Sequence, residues 1–476
     1  MANEQQRAAA PAAAAYAEPA KPETYAQQLA ELDAPKAKGD AAGAAAWLGK
    51  CMPGAKIEGR QLPAFDLLDP TKKKQYEDIV RNKDFSDSKD TLAQRLRVWS
   101  AALTSAEEFD SIVEATQQRL EKLDELLAKN LKNAFETIRP IETTYRAVDS
   151  FFMNAAVEAG DKVDASFINA SMDQLLNPDD RTVFEEGLSA SIQTRFRDWT
   201  LRETFSNLCI PGWVGSVPKL DRLGTLGSQN KVQVYTDAEN YPNFKTLQDH
   251  LDQKAFEGLR GAGLEKQYVT LYGNWLMGRK RHAFEDEDLW LPPSALMTGL
   301  VYNVDETKGL HEAPAGYRKG KIQGAEGVRF RVDRPTGGKM INQYGINPIV
   351  DWDGYAIAMG DSNLSSKEGL DSFPRIRTED WLIKNACHYL NKQAYQNITD
   401  TFRSAVKADL FDFLNRHKGD ESEIKGFKIE VTATPEQEKR HEVDVVLEIK
   451  FQNSVRQFNV KVKEADGTAD AQLQKS

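Results

Sequence analysis

Large apolar side chains are sparse in residues 1–45, then recur in steps of three and four, and near the end in steps of two. The Ala/Pro-rich opening segment cannot bury enough surface to offset its chain entropy, which predicts a flexible arm over residues 1–45. Within it, Pro22–Ala37 sets Tyr25, Leu29 and Leu32 on one side of a short helix. Ser105 and Glu108 form a capping box that opens a long run. In that run Phe109, Ile112, Val113, Leu120, Leu123, Leu127, Leu131, Phe135 and Ile138 share one helical face. The face is about eight turns long. Pro140 is expected to stop it, because an internal proline removes a donor and crowds the preceding turn. Helix is then predicted again from Thr143 to Gly160, and across Asn177–Phe205 with Asp179 or Asp180 near its cap.

Beyond Cys209, glycine, proline and aromatics predict loops and strands. Lys231–Asp237 alternates as a strand does, and so does Gly327–Asp333 within a loop-rich stretch from Gly320 to Gly345. Pro292 and Pro293 mark a turn into a buried helix over Leu289–Asn303. In Asn347–Leu364, Asp353-Gly354 is the dipeptide of a tight hairpin, flanked by Ile349, Val350, Tyr355, Ile357 and Met359. Thr378–Asp380 precedes a helix bearing Trp381, Leu382, Ile383, Ala386, Tyr389 and Leu390, and a second helix runs through Leu414. Three amphipathic strands close the chain. The first carries Phe427, Ile429 and Val431, and the second Val443, Val445, Leu447, Ile449 and Phe451; the third carries Val455, Phe458, Val460 and Val462.

With 476 residues, 40% hydrophobic and 28% charged, the chain has the make-up of a folded multi-domain protein. The net charge of −10 argues against nucleic acid or anionic lipid as a partner held by general electrostatics. Cys51, Cys209 and Cys387 form no disulfide framework or metal pattern, and read as buried thiols in a reducing compartment. The N-terminus lacks a signal-peptide pattern and no apolar run is long enough for a spanning helix, so a cytoplasmic location without membrane insertion is expected.

No familiar catalytic constellation emerges, and no cofactor is expected. Pro335–Met340 (PTGGKM) lacks the leading glycine and hydroxyl of a phosphate loop, and Gly258–Lys266 has its glycines at the wrong spacing. His311-Glu312 and His441-Glu442 have no second histidine at metal-ligand spacing. The acids of Phe284–Trp290 follow a basic run and read as a solvated, charge-paired loop. Asp351 and Asp353 fail as a calcium loop, because the glycine comes too early and Ser362 stands where the closing glutamate belongs.

Several stretches carry a resemblance. Gly345–Leu364 (GINPIVDWDGYAIAMGDSNL) followed by Phe373–Thr399 (FPRIRTEDWLIKNACHYLNKQAYQNIT) resembles the C-terminal core of contractile tail-sheath proteins. Ile138–Ala155 and Leu271–Val301 resemble the large sheath subunit of type VI secretion systems, in particular the Bacteroidetes-type group. The likeness runs in order over roughly residues 100–476. It departs at Met359-Gly360-Asp-Ser-Asn, where phage sheaths carry Trp-Gly-Ala-Arg-Thr. The resemblance implies an α+β, multi-domain, tail-sheath-like fold, helical in its N-terminal half, with a C-terminal α/β sheath core ending in amphipathic strands. Its parts would be the arm at 1–45, a helix-rich and mixed outer and middle region at 46–340, and the core with exchange strands at 341–476. It implies a structural subunit, not an enzyme, whose terminal strands pass between neighbours in hexameric rings. Implied partners are further copies of itself, a small sheath subunit, an inner tube protein and a AAA+ recycling ATPase. Charged alternate positions (Glu448, Lys450, Lys461, Lys463) would discourage indiscriminate pairing. Two other readings stand beside it: the sheath of a phage tail or extracellular injection device, and a hydrolase with a dispersed site using Asp351, Asp353 or the Phe284–Trp290 acids.

Overall fold

A computed structural model describes Arg97 and residues 109–158, 162–177, 182–201 and 203–456. The arm at 1–45, the Pro22–Ala37 helix, the Ser105–Glu108 capping box and the strand positions Phe458, Val460 and Val462 lie outside the described residues. The chain divides into two compact units, Met1–Ile138 and Arg139–Ser476.

The helix α1 (Phe109–Ala155) continues past Pro140 instead of stopping there. Proline at this position leaves the Glu136 carbonyl without its helical donor. Glu136 and Pro140 are both exposed, so water can take that bond. Leu120, Leu127 and Ile138 stay exposed along the apolar face.

The second unit is built on a five-stranded sheet in the order β1 (Asn207–Cys209), β2 (Gln233–Asp237), β3 (Val269–Gly273), β7 (Ile346–Trp352), β8 (Tyr355–Ala358). Its first four strands are parallel, and β8 returns antiparallel through the Asp353-Gly354 turn. Both turn residues have positive φ (53° and 77°), the conformation that selects this dipeptide. One face of the sheet packs on α2 (Val217–Asn230) through Val234, Leu271 and Ile346. The other packs on α3 (Pro293–Lys308) through Tyr235, Tyr272 and Ile349. Alternation in β2 therefore separates two dry faces, not a wet one from a dry one. Helices on both sides of a parallel sheet leave no wet face. Two of its polar side chains are held internally: Gln233 Nε2 donates to Thr270 Oγ1 (3.0 Å) and Thr236 to the Gly212 carbonyl (2.7 Å).

Close helix packing depends on Gly299 of α3, where a Cβ would meet the Phe151 carbonyl oxygen of α1 at 2.3 Å. Backbone cannot yield as a side chain does. Gly299→Val is expected to cost about 1–3 kcal/mol in chemical unfolding, and an unchanged midpoint would refute this account of the contact.

A smaller sheet orders β5 (Leu289–Leu291), β4 (Leu276–Arg279) and β6 (Gly327–Val328). The strand expected over Gly327–Asp333 ends at Val328, because Asn274 takes over the backbone of Phe330 and Arg329 lies over the Trp290 ring. Among the described residues of 177–205, helix covers Thr182–Phe196, π-helical over Thr182–Ser189 and α-helical from Ala190.

The C-terminal elements are α4 (Phe373–Gln393), α5 (Asp400–Arg416) and the antiparallel pair β9 (Ile424–Thr432) and β10 (Asp444–Phe451). α4 starts earlier than Thr378. Pro374 presets its first turn, and the fully buried Phe373 seats it against Tyr235, ring to ring at 5.7 Å.

Candidate functional site

The C-terminal hairpin is a two-stranded sheet, so both of its strands are edge strands. Its inner face lays Val445, Leu447, Ile449 and Phe451 of β10, with Phe427 and Val431 of β9, against a cluster that includes Leu382 of α4 and Val406, Leu410 and Leu414 of α5. Its outer face is charged, with Lys428 lying 2.7 Å from Glu430 and 3.7 Å from Glu448. The sheet has two strands only, so among the described residues each strand keeps one edge without a ladder partner. Val443 immediately precedes β10, whereas Val455 lies beyond its end, exposed and outside any described strand.

The segment after β10 is held by side chains that no sequence pattern singles out. Gln452 donates to the Gly419 carbonyl at 2.8 Å. Asp361, 3% exposed, accepts from Arg456 Nε (2.7 Å), Ser454 Oγ (2.7 Å) and Ser372 Oγ (3.1 Å). Arg456 also donates to Asp371 at 2.6 Å. No spacing rule joins positions 361 and 456; only the fold brings them together.

The expected acidic loop is charge-paired as read; Asp286 and Glu287 are exposed, and Glu285 alone of its four acids is buried. Arg279 sits between Glu142 of α1 (2.6 Å) and Glu285 (2.5 Å), and Glu285 is 8% exposed. The Arg279 guanidinium holds both carboxyls down at about 2, so each is a fixed charge and not a proton donor near neutral pH. Asp351 and Asp353 are exposed at the hairpin turn. Pro335–Met340 lies in a short helix capped by Asp333 and the π-helical turn that follows it. Among the described residues no group of three His, Cys, Asp or Glu side chains is placed to hold a metal ion.

A second polar cluster lies at the end of β2. Asp237 accepts from Gly212 N (2.8 Å), Ser294 N (2.7 Å) and Ser294 Oγ (2.5 Å), while Cys209 Sγ is 3.8 Å from that hydroxyl. Asp237 and Ser294 are fully buried, and burial pushes the Cys209 thiol up to about 12. The carboxylate thus caps the start of α3 from a neighbouring strand. Cys387, by contrast, is exposed on α4, against the expectation of a buried thiol.

Burial also raises Asp237, from an ordinary 3.8 to about 7. Its contribution to stability is therefore complete below the unfolded value and fades as pH rises through 7. Asp237→Asn is expected to remove up to one proton's worth of pH slope, about 1.4 kcal/mol per pH unit, between about pH 4 and 7. Urea midpoints across that range test it; an unchanged slope in the variant contradicts the assignment.

This mixed α+β chain matches family models of contractile-sheath proteins along most of its length. More particularly, the chain belongs to the type VI secretion system TssC/VipB family: residues 133–365 match its central domain, 60–131 its N-terminal region and 372–476 its C-terminal domain. A tail sheath protein of Vibrio phage KVP40 is 26% identical over 150 residues, 31% of this chain and 22% of the phage protein. The matched stretch thus spans about a fifth of that relative's length. Among solved structures, the contracted helical sheath of the anti-feeding prophage is similar at 17% identity and a TM-score of 0.49, over 68% of this chain and 82% of that one. A sheath tail protein of Desulfitobacterium hafniense is similar at 15% identity and a TM-score of 0.36, over 56% and 59%.

Proposed function

We propose that this chain polymerises around an inner tube in the bacterial cytoplasm and contracts to drive the tube through a target envelope. The observation that carries the reading is the terminal hairpin, which among the described residues has two strands and, apart from a single bridge at Ile424, no further ladder partner. Such edges add strands from a neighbour by β-augmentation. Val443, Val445, Leu447, Ile449, Phe451, Val455, Phe458, Val460 and Val462 are the exchange positions. Within this reading, residues 1–45 act as an arm toward a neighbour or a AAA+ recycling ATPase, residues 46–340 form the outer and middle regions, and residues 341–476 form the lattice core. A small sheath subunit pairs with each copy.

The role is structural and not enzymatic. Energy is stored in a metastable lattice and released through rigid-body rotation, so no nucleotide or other cofactor is required. Family membership favours secretion over a phage tail or an extracellular device. Negative-stain electron microscopy of the protein co-expressed with its genomic neighbours tests the proposal. Hollow tubes with cogwheel ends are expected; discrete small particles under all partner and salt conditions would overturn it.

A further inference from the structure

Two features near the end of α4 have no counterpart within their own chain. The first is Tyr395, two residues past the helix end at Gln393. Its side chain is 101% exposed, while its backbone holds a φ of 68°. A bulky residue at positive φ is strained, and strain of this kind concentrates where a segment has a task beyond folding. Here no burial within the subunit offsets the cost.

The second is a cavity of about 280 Å³, reached one to two turns earlier on the same helix. Phe196, Trp199 and Leu201 give it an apolar wall, and Cys387 and Asn391 line it from α4. Asn391 Nδ2 donates to the Trp199 carbonyl at 3.3 Å, which pins the wall to the helix. Asp198 brings a carboxylate to the same cavity and accepts from Thr200 N (2.8 Å) and Thr200 Oγ1 (3.0 Å), so the loop is held in shape. Yet Trp199 stays 73% exposed, and Leu201 carries a positive φ of 48°. The cavity is thus preformed from a strained loop that leaves its largest ring in water.

We propose that these are the two halves of one contact between copies of this chain, with Tyr395 of one subunit seated in the Phe196–Trp199–Leu201 cavity of another. The inference rests on the self-assembly proposed above and adds to it a contact separate from the terminal strands. Tyrosine suits the cavity on both counts: its ring covers an apolar wall, and its hydroxyl has the Asp198 carboxylate as an acceptor. Every copy carries both halves, so a single kind of subunit suffices. A tyrosine that passes from full exposure into such a pocket is the kind of residue that dominates an interface.

The test places photoreactive p-azidophenylalanine, close to tyrosine in shape, at position 395 of the full chain co-expressed with its genomic neighbours. Irradiation is expected to give a product of at least twice the subunit mass, in which position 395 is joined to a peptide holding residues 196–201 or 387–391 of another copy. Tubes without that product, or a cross-link to a different protein, overturn this contact and leave the sheath reading standing. The product without tubes supports the contact and counts against the sheath reading; neither product nor tubes overturns both. Tyr395→Ala removes no packing inside the subunit, so its unfolding midpoint should match wild type. The concentration it needs for assembly should rise about tenfold, whereas Tyr395→Phe, which keeps the ring, should stay within about twofold of wild type. Assembly of Tyr395→Ala at the wild-type concentration overturns the proposal.

Discussion

Replacing Phe458 and Val460 together by Asp is expected to leave a soluble, folded subunit that builds no tubes. The two residues occupy alternate, same-face positions in the last amphipathic run. Charges there oppose burial against a neighbouring chain. They leave untouched the β9–β10 ladder and the cluster beneath it, which end at Phe451. Circular dichroism and gel filtration should therefore match wild type while electron microscopy shows no polymer. Tubes of normal length and number from the double variant would remove terminal strand exchange from the proposed mechanism.

Phe373→Ala is expected to destabilise the subunit by about 3–5 kcal/mol, near the upper end for a single truncation. The ring is fully buried, meets Tyr235 edge-on at 5.7 Å and belongs to the cluster on the α3 side of the sheet. Truncation removes its transfer energy and opens a cavity where the backbone is least free to collapse. Phe373→Leu refills most of that volume and should cost much less. Similar losses for the two variants in chemical unfolding would mean that the site relaxes around the gap, and would contradict the rigid seat described for α4.

Much of the fold was legible where one periodicity decided the matter. The β7–β8 hairpin and α3 come from spacing together with an Asp-Gly or a Pro signal, and β9 and β10 from alternation alone. Local rules failed where context overrode them. Pro140 marks a helix end by propensity, yet the exposed Glu136 carbonyl lets the helix continue. Gly327–Asp333 alternates like a strand, yet Asn274, 56 residues away from Phe330, claims its backbone. The parallel order of β1, β2, β3 and β7 depends on pairings across long stretches of chain, which no local pattern encodes. The same holds for the candidate site. The apolar positions of β10 were visible as an alternating run, whereas the Asp361, Asp371 and Arg456 contacts join distant segments through charge alone.

Those contacts have a mechanical meaning. A pull on the chain beyond Arg456 is borne first by two carboxylates and the Ser454 hydroxyl, and only afterwards by the hydrogen bonds between β9 and β10. Tension applied there must break a cluster of charged contacts at once before it can peel the hairpin one rung at a time. If the chain beyond Arg456 is exchanged as proposed, these contacts stand between the hairpin and any load that the exchanged segment carries.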